Sequence, residues 1–152
     1  ITVSTVGVVP GMRAMAEWDL PVTLAVSLHS PFDDLRSELI PINKRYPITS
    51  VLDAAKIVSQ SKSRRVSFEY AAIDKTNITD ECAHELGKLL GNFGIPLNET
   101  TNFDGTAPTS DHIKRFANIV ESYGPSVTIR KNRGRDIDAA CGQLRERRSA
   151  AN

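Results

Sequence analysis

A chain of 152 residues, 40% hydrophobic and 24% charged, has the size and make-up of one ordinary domain with a real core, and its net charge of +1 suits a soluble globular protein. No apolar run approaches the roughly 18 residues that a membrane span needs, and no signal-peptide pattern is visible. Two cysteines far apart, Cys82 and Cys141, are not a disulfide framework and point to a reducing, cytoplasmic setting.

The sequence opens on ITVSTVGVV (1–9), without a methionine and already strand-like, so it reads as a fragment. This run and VTLAVSL (22–28) are rich in β-branched and apolar residues, as buried parallel strands are. SPFDDLRSEL (30–39) reads as a helix, with Ser30 as N-cap, Pro31 at the first helical position and Asp33 closing a capping pattern. RVSFEYAAI (65–73) follows as a third strand. TDECAHELGKLL starts a helix at Thr79, with Asp80 and Glu81 in the first turn to complement the helix dipole. Its Cys82, Leu86, Leu89 and Leu90 share one face, which makes Cys82 a core residue. GIPL (94–97) is a weaker fourth strand. SDHIKRFANIVESYG (110–124) is a helix that buries Ile113, Phe116, Ile119, Val120 and Tyr123 and stops at Gly124 and Pro125. SVTIR (126–130) is a fifth strand. Strands alternating with helices in this way predict an α/β fold with a parallel sheet or barrel.

Polar residues gather at the predicted C-terminal strand ends: Ser4, Thr5 and Gly7 after the first, Ser27 and His29 after the second, and Asn98 after the fourth. Parallel strands bring such ends to one face, where (β/α) barrels build their sites. Taken singly, each reads as a local cap or turn, and His29 as a structural histidine; converging, they read equally as a small-molecule site. No Gly-rich phosphate loop, zinc spacing or nucleophile elbow is present. In DIDAACGQL (136–144), small neighbours leave the Cys141 sulfur accessible, and the preceding RKNRGR supplies cations that favour a thiolate. The other reading makes Ala139, Ala140 and Cys141 small packing residues. From Arg130 to Arg148, seven basic residues stand against three acidic ones. This excess suits either a phosphate-bearing partner or an ordinary solvated tail.

ITVSTVGVVPGM, LAVSLHSPFDDLRSELIPINKRYPI, VSFEYAAID, IPLN and RGRDIDAACGQL resemble, in this order, successive motifs of the radical S-adenosylmethionine (SAM) adenine-carbon-2 RNA methyltransferases, the RlmN/Cfr family. The resemblance implies the second half of a partial (β/α)6 TIM-like barrel plus a C-terminal segment. Residues 1–129 would be the half-barrel and 130–152 the basic segment with the methyl-carrier cysteine. By position, Ser4, Ser27, Leu28, His29 and Asn98 match residues that hold SAM in that family. Cys141 matches the cysteine that is S-methylated and passes its one-carbon unit to adenine. One SAM would methylate Cys141; a second, cleaved by a reduced 4Fe-4S cluster, would yield the radical that activates the S-methyl group.

The implied partners are 23S rRNA and/or tRNA, with a reductase as electron donor for the intact enzyme and no membrane. The cluster of that family is held by CxxxCxxC, which is absent here; two cysteines cannot supply three thiolates, so no metal ligand is assigned and the chain alone is expected to be inactive. Cys82 matches no family cysteine, and Glu99 stands after Asn98 where the family usually has proline. Two other functions compete: a non-catalytic half-barrel that binds RNA or nucleotide, and an unrelated barrel enzyme using His29 as a base.

Overall fold

The computed structural model describes residues 1–91, 97–100 and 108–130, with only the main chain described for 97–100 and for Arg130. Strands β1 (Thr2–Thr5), β2 (Thr23–Ser27), β3 (Ser67–Ala71), β4 (Leu97–Thr100) and β5 (Val127–Arg130) form one parallel sheet in chain order. Helices α1 (Val9–Glu17), α2 (Asp33–Leu39), α3 (Ile48–Lys62), α4 (Asp80–Gly91) and α5 (Ser110–Glu121) fill the connections, with a 3-10 turn at Pro41–Lys44 after α2. Parallel neighbours need such crossovers, and a constant right-handed sense stacks the helices on one side of the sheet.

Alternation along the strands separates two faces. Leu24, Val26, Leu28, Phe68 and Tyr70 are all but inaccessible and pack in one core with Met12, Met15, Val51, Leu86 and Phe116 from the helices. Of the intervening positions, Ser4, Thr23, Ser27, Ser67, Glu69 and Thr128 are half-buried or exposed on the other face, while the small Ala25 and Ala71 there are buried. Among the described residues, no helix is long and apolar enough to cross a membrane.

Several local expectations give way. The first strand ends at Thr5 rather than Val9, and Val9 opens α1. Gly7 turns the chain with φ +100°, its N–H donating to Thr5 Oγ1 at 3.1 Å, and Pro10 lies in the first helical turn, where its missing N–H is harmless. A Cβ on Gly7 would lie 2.8 Å from Val51 Cγ2, so the turn also depends on close approach to α3.

Ser30 is not the cap of α2: the helix begins at Asp33 after Phe32, and Ser30 Oγ instead closes a local turn, accepting from Phe32 N and donating to Phe32 O, both at 3.0 Å. Pro31 accordingly precedes the helix. The structure adds α3, which follows Pro47 and buries Ile48, Val51, Leu52, Ala55 and Val58 at helical spacing. Thr79 does cap α4, its Oγ1 accepting from Cys82 N at 3.1 Å, and Cys82 is buried as expected. Tyr123 is exposed rather than buried; its ring lies over Gly87 and its hydroxyl is 2.9 Å from His84 Nδ1.

Candidate functional site

Ser4, Ser27, Leu28 and His29 fall at the C-terminal ends of β1 and β2, as the sequence predicts. Asn98 does not follow the fourth strand; it lies within β4, paired with Glu69 on one side and Thr128 on the other. The row Ser27, Glu69, Asn98, Thr128 therefore crosses four strands at one level. Ser4 sits in a neighbouring row, opposite Ala25. Glu69 was not singled out from the sequence, because its place beside Ser27 depends on register, which composition does not carry. Cys141 lies outside the described residues.

The SLH segment is shaped by buried polar groups. Leu28 directs its side chain into the core; its N–H donates to Glu69 O at 2.9 Å and its C=O accepts from Arg36 Nε at 3.0 Å. His29 then takes a left-handed conformation, φ +59°, uncommon for a residue with a Cβ and associated with sites the surroundings over-determine. Its Nδ1 accepts from Ala71 N–H at 2.9 Å, which places the ring proton on Nε2. Burial, and secondarily the charge of Arg36, lowers its pKa to about 4, so the imidazole is neutral near pH 7.

Asn77, fully buried, secures the other side. Its Nδ2 donates to His29 O at 2.9 Å and Ala71 O at 2.7 Å, while Oδ1 accepts from Ile73 N at 2.7 Å and Tyr70 Oη donates to its carbonyl at 2.5 Å. This carboxamide joins the ends of β2 and β3 where the ladder has run out. Neither Asn77 nor Arg36 stands out in the sequence, where Arg36 is one residue of the helix SPFDDLRSEL.

A separate open cavity of about 830 Å³ lies between the N-termini of α4 and α5 and includes Lys75, Thr79, Asp80, Thr109, His112 and Arg115. Its polar groups are largely engaged already: Arg115 Nε donates to Asp80 Oδ1 at 2.9 Å, which holds the Asp80 carboxyl below its usual range, and Thr109 caps His112 N. None of the sequence-predicted site residues whose side chains are described lines it. Among the described residues, no group of three or more His, Cys, Asp or Glu side chains is placed to hold a metal ion.

No protein-family model matches the chain. It is 48% identical over 152 residues to the probable dual-specificity RNA methyltransferase RlmN of Bifidobacterium adolescentis, covering 95% of this chain and 39% of that protein. It is 43% identical over 157 residues to the dual-specificity RNA methyltransferase RlmN 1 of Myxococcus xanthus, covering 98% and 44%. Among solved structures, a radical SAM methyltransferase from Sphaerobacter thermophilus matches at TM-score 0.88 and 43% identity, over 94% of this chain and 43% of that one. A domain of a pyruvate-formate lyase-activating enzyme from Bacteroides vulgatus shares the fold at TM-score 0.67 and 14% identity, over 86% and 80%.

The sequentially wound parallel sheet, open on a polar face, is thus part of a radical SAM α/β fold. The chain spans less than half the length of the curated relatives. Within that fold it belongs to the RlmN/Cfr-type radical SAM methyltransferases.

Proposed function

We propose that this chain provides the second half of the catalytic barrel of an RNA adenine-carbon-2 methyltransferase, with Ser4, Ser27, Leu28, His29 and Asn98 as SAM contacts and Cys141 as methyl carrier. The observation that carries this reading is the convergence of Ser4, Ser27 and His29 at adjacent strand ends on the open face, in a chain 43–48% identical to RlmN proteins.

The donor set suits SAM. Ser4 and Ser27 offer hydroxyls for ribose or amino-acid groups, neutral His29 adds a polar ring beside them without a positive charge, and the half-buried Glu69 gives the face a negative charge to oppose a sulfonium or ammonium. Leu28 acts through its anchored main chain, holding Ser27 and His29 on either side of a core side chain. Bound there, SAM would supply an activated methyl group. Cys141 would hold the one-carbon unit as a thioether beside the RNA base, and the basic residues from Arg130 onward would attract phosphates.

No cluster is assigned to the described residues: Cys82 is buried on the core face of α4 and lacks companions. The 4Fe-4S cluster belongs to the intact enzyme, with a reductase as electron donor, a cytoplasmic setting and 23S rRNA and/or tRNA as substrate. The division into 1–129 and 130–152 follows from the same assignment.

Mass spectrometry of the full-length protein purified from cells should find an added methyl on the peptide containing Cys141. Cys141→Ala should abolish RNA methylation while SAM and RNA still bind. Full methylation by Cys141→Ala overturns the assignment, and a wild type that binds RNA but never methylates it favours a non-catalytic module.

A further inference from the structure

The β1–β2 ladder ends at the pair Thr5–Val26. One residue on, the carbonyls of Val6 and Ser27 both accept from the same nitrogen, Arg36 Nη2, at 2.8 and 3.0 Å. Arg36 Nε takes the next carbonyl, Leu28 O, at 3.0 Å, and Nη1 donates to Asn43 Oδ1 at 2.6 Å. The side chain is fully buried, so its charge is tolerated only because these acceptors surround it.

The support continues outward. Asn43 Nδ2 donates to Asp33 O, Asp33 Oδ1 and Ser37 Oγ at 2.9–3.0 Å, and Asp33 Oδ1 also accepts Ile48 N at the start of α3. Gly7 leaves room for the fork, since a Cβ there would stand 3.2 Å from Nη2. A planar guanidinium can reach three carbonyls of two strands at fixed angles; an ammonium on a flexible stem cannot reproduce that fork.

We propose that Arg36 is a positioning residue for the open face: its guanidinium substitutes for the next rung of the β1–β2 ladder and fixes the spacing of the Ser4–Gly7 and Ser27–His29 strand ends. Its consequence for ligand binding rests on the SAM assignment above. Arg36 touches no ligand in this role; it acts through the main chain of the residues that would.

The test uses full-length wild type, Arg36→Lys and Asn43→Ser, with three readouts: cooperative thermal unfolding, amide hydrogen exchange, and SAM affinity by equilibrium dialysis. In folded Arg36→Lys, exchange in peptides covering 5–8 and 27–30 should rise about tenfold or more, with α4 unchanged, and SAM affinity should fall by about the same factor. General destabilisation would instead raise exchange in α4 to the same extent and lower the unfolding midpoint, overturning the proposal. So would a folded variant with wild-type exchange and affinity.

If Arg36→Lys does not fold, Asn43→Ser decides, because it removes one partner and leaves the three carbonyl bonds. Local exchange and SAM affinity should then change about threefold in the same directions, and no change refutes the proposal. A wild type that binds no SAM overturns the SAM assignment itself. The exchange pattern then still judges Arg36: a rise confined to the two strand ends upholds the spacing role, and its absence refutes it.

Discussion

Acidification should destabilise the protein through His29. Its Nδ1 already faces the Ala71 N–H at 2.9 Å, so a second ring proton would set donor against donor. Burial first, and the Arg36 charge second, lowers its pKa from 6.5 to about 4. Between those values the unfolded chain binds more protons than the folded one, so stability rises with pH across this window. The loss begins as pH falls through about 6.5 and is complete below about 4. At 1.36 kcal/mol per pH unit, the gap of about 2.5 units corresponds to about 3 kcal/mol in all, and to about 2 kcal/mol between pH 7 and pH 5.

Urea unfolding of the full-length protein at pH 7, 6 and 5 measures the slope, with His29→Gln as the comparison; the variant should lose that share of the pH dependence. Carbon–proton NMR of the histidine rings, with the His29 signal identified by its absence in the variant, reads the titration directly. A His29 midpoint near 6.5, or identical pH slopes in both proteins, refutes the reasoning.

Gly7→Ala should cost roughly 2–4 kcal/mol in chemical denaturation, from a side chain forced into φ +100° and a Cβ 2.8 Å from Val51 Cγ2. A loss below about 0.5 kcal/mol would show that the turn relaxes freely. Cys82→Ala should lower stability by only about 1 kcal/mol, leaving SAM affinity intact because the thiol faces the core of α4. A variant that unfolds normally but no longer binds SAM would contradict that placement.

The strand–helix alternation was legible because VTLAVSL and RVSFEYAAI are compact β-branched and apolar runs, and because Thr79 caps α4 as its sequence implies, whereas the Ser30 cap of α2 did not hold. The overrun of the first strand has a simple cause: Val6, Val8 and Val9 continue the apolar run, while Gly7 and Pro10 redirect the backbone within it. Helix α3 went unread because ITSVLDAAKIVSQSK mixes alanine, serine and threonine with well-spaced but modest apolar residues. At the site, hydroxyls and the histidine could be picked out from strand ends alone. Arg36 and Asn77 could not, since a buried polar side chain and a solvated one have the same one-letter code. What distinguishes them is the set of carbonyls that converges on them after folding.

The alternation of faces also bears on how such a protein can change. In β2, Val26 is sealed in the core and Ser27, the very next residue, opens toward the candidate ligand. On the proposed assignment, stability and recognition draw on neighbouring residues of the same strand and on different atoms, with only the small Ala25 of that face also buried. Substitutions at Ser4, Ser27, Ser67 or Glu69 can retune what the face accepts with little penalty to folding, whereas shifting the same change by one position would strike the core. A lineage can thus explore new ligands one strand position at a time without first accumulating spare stability.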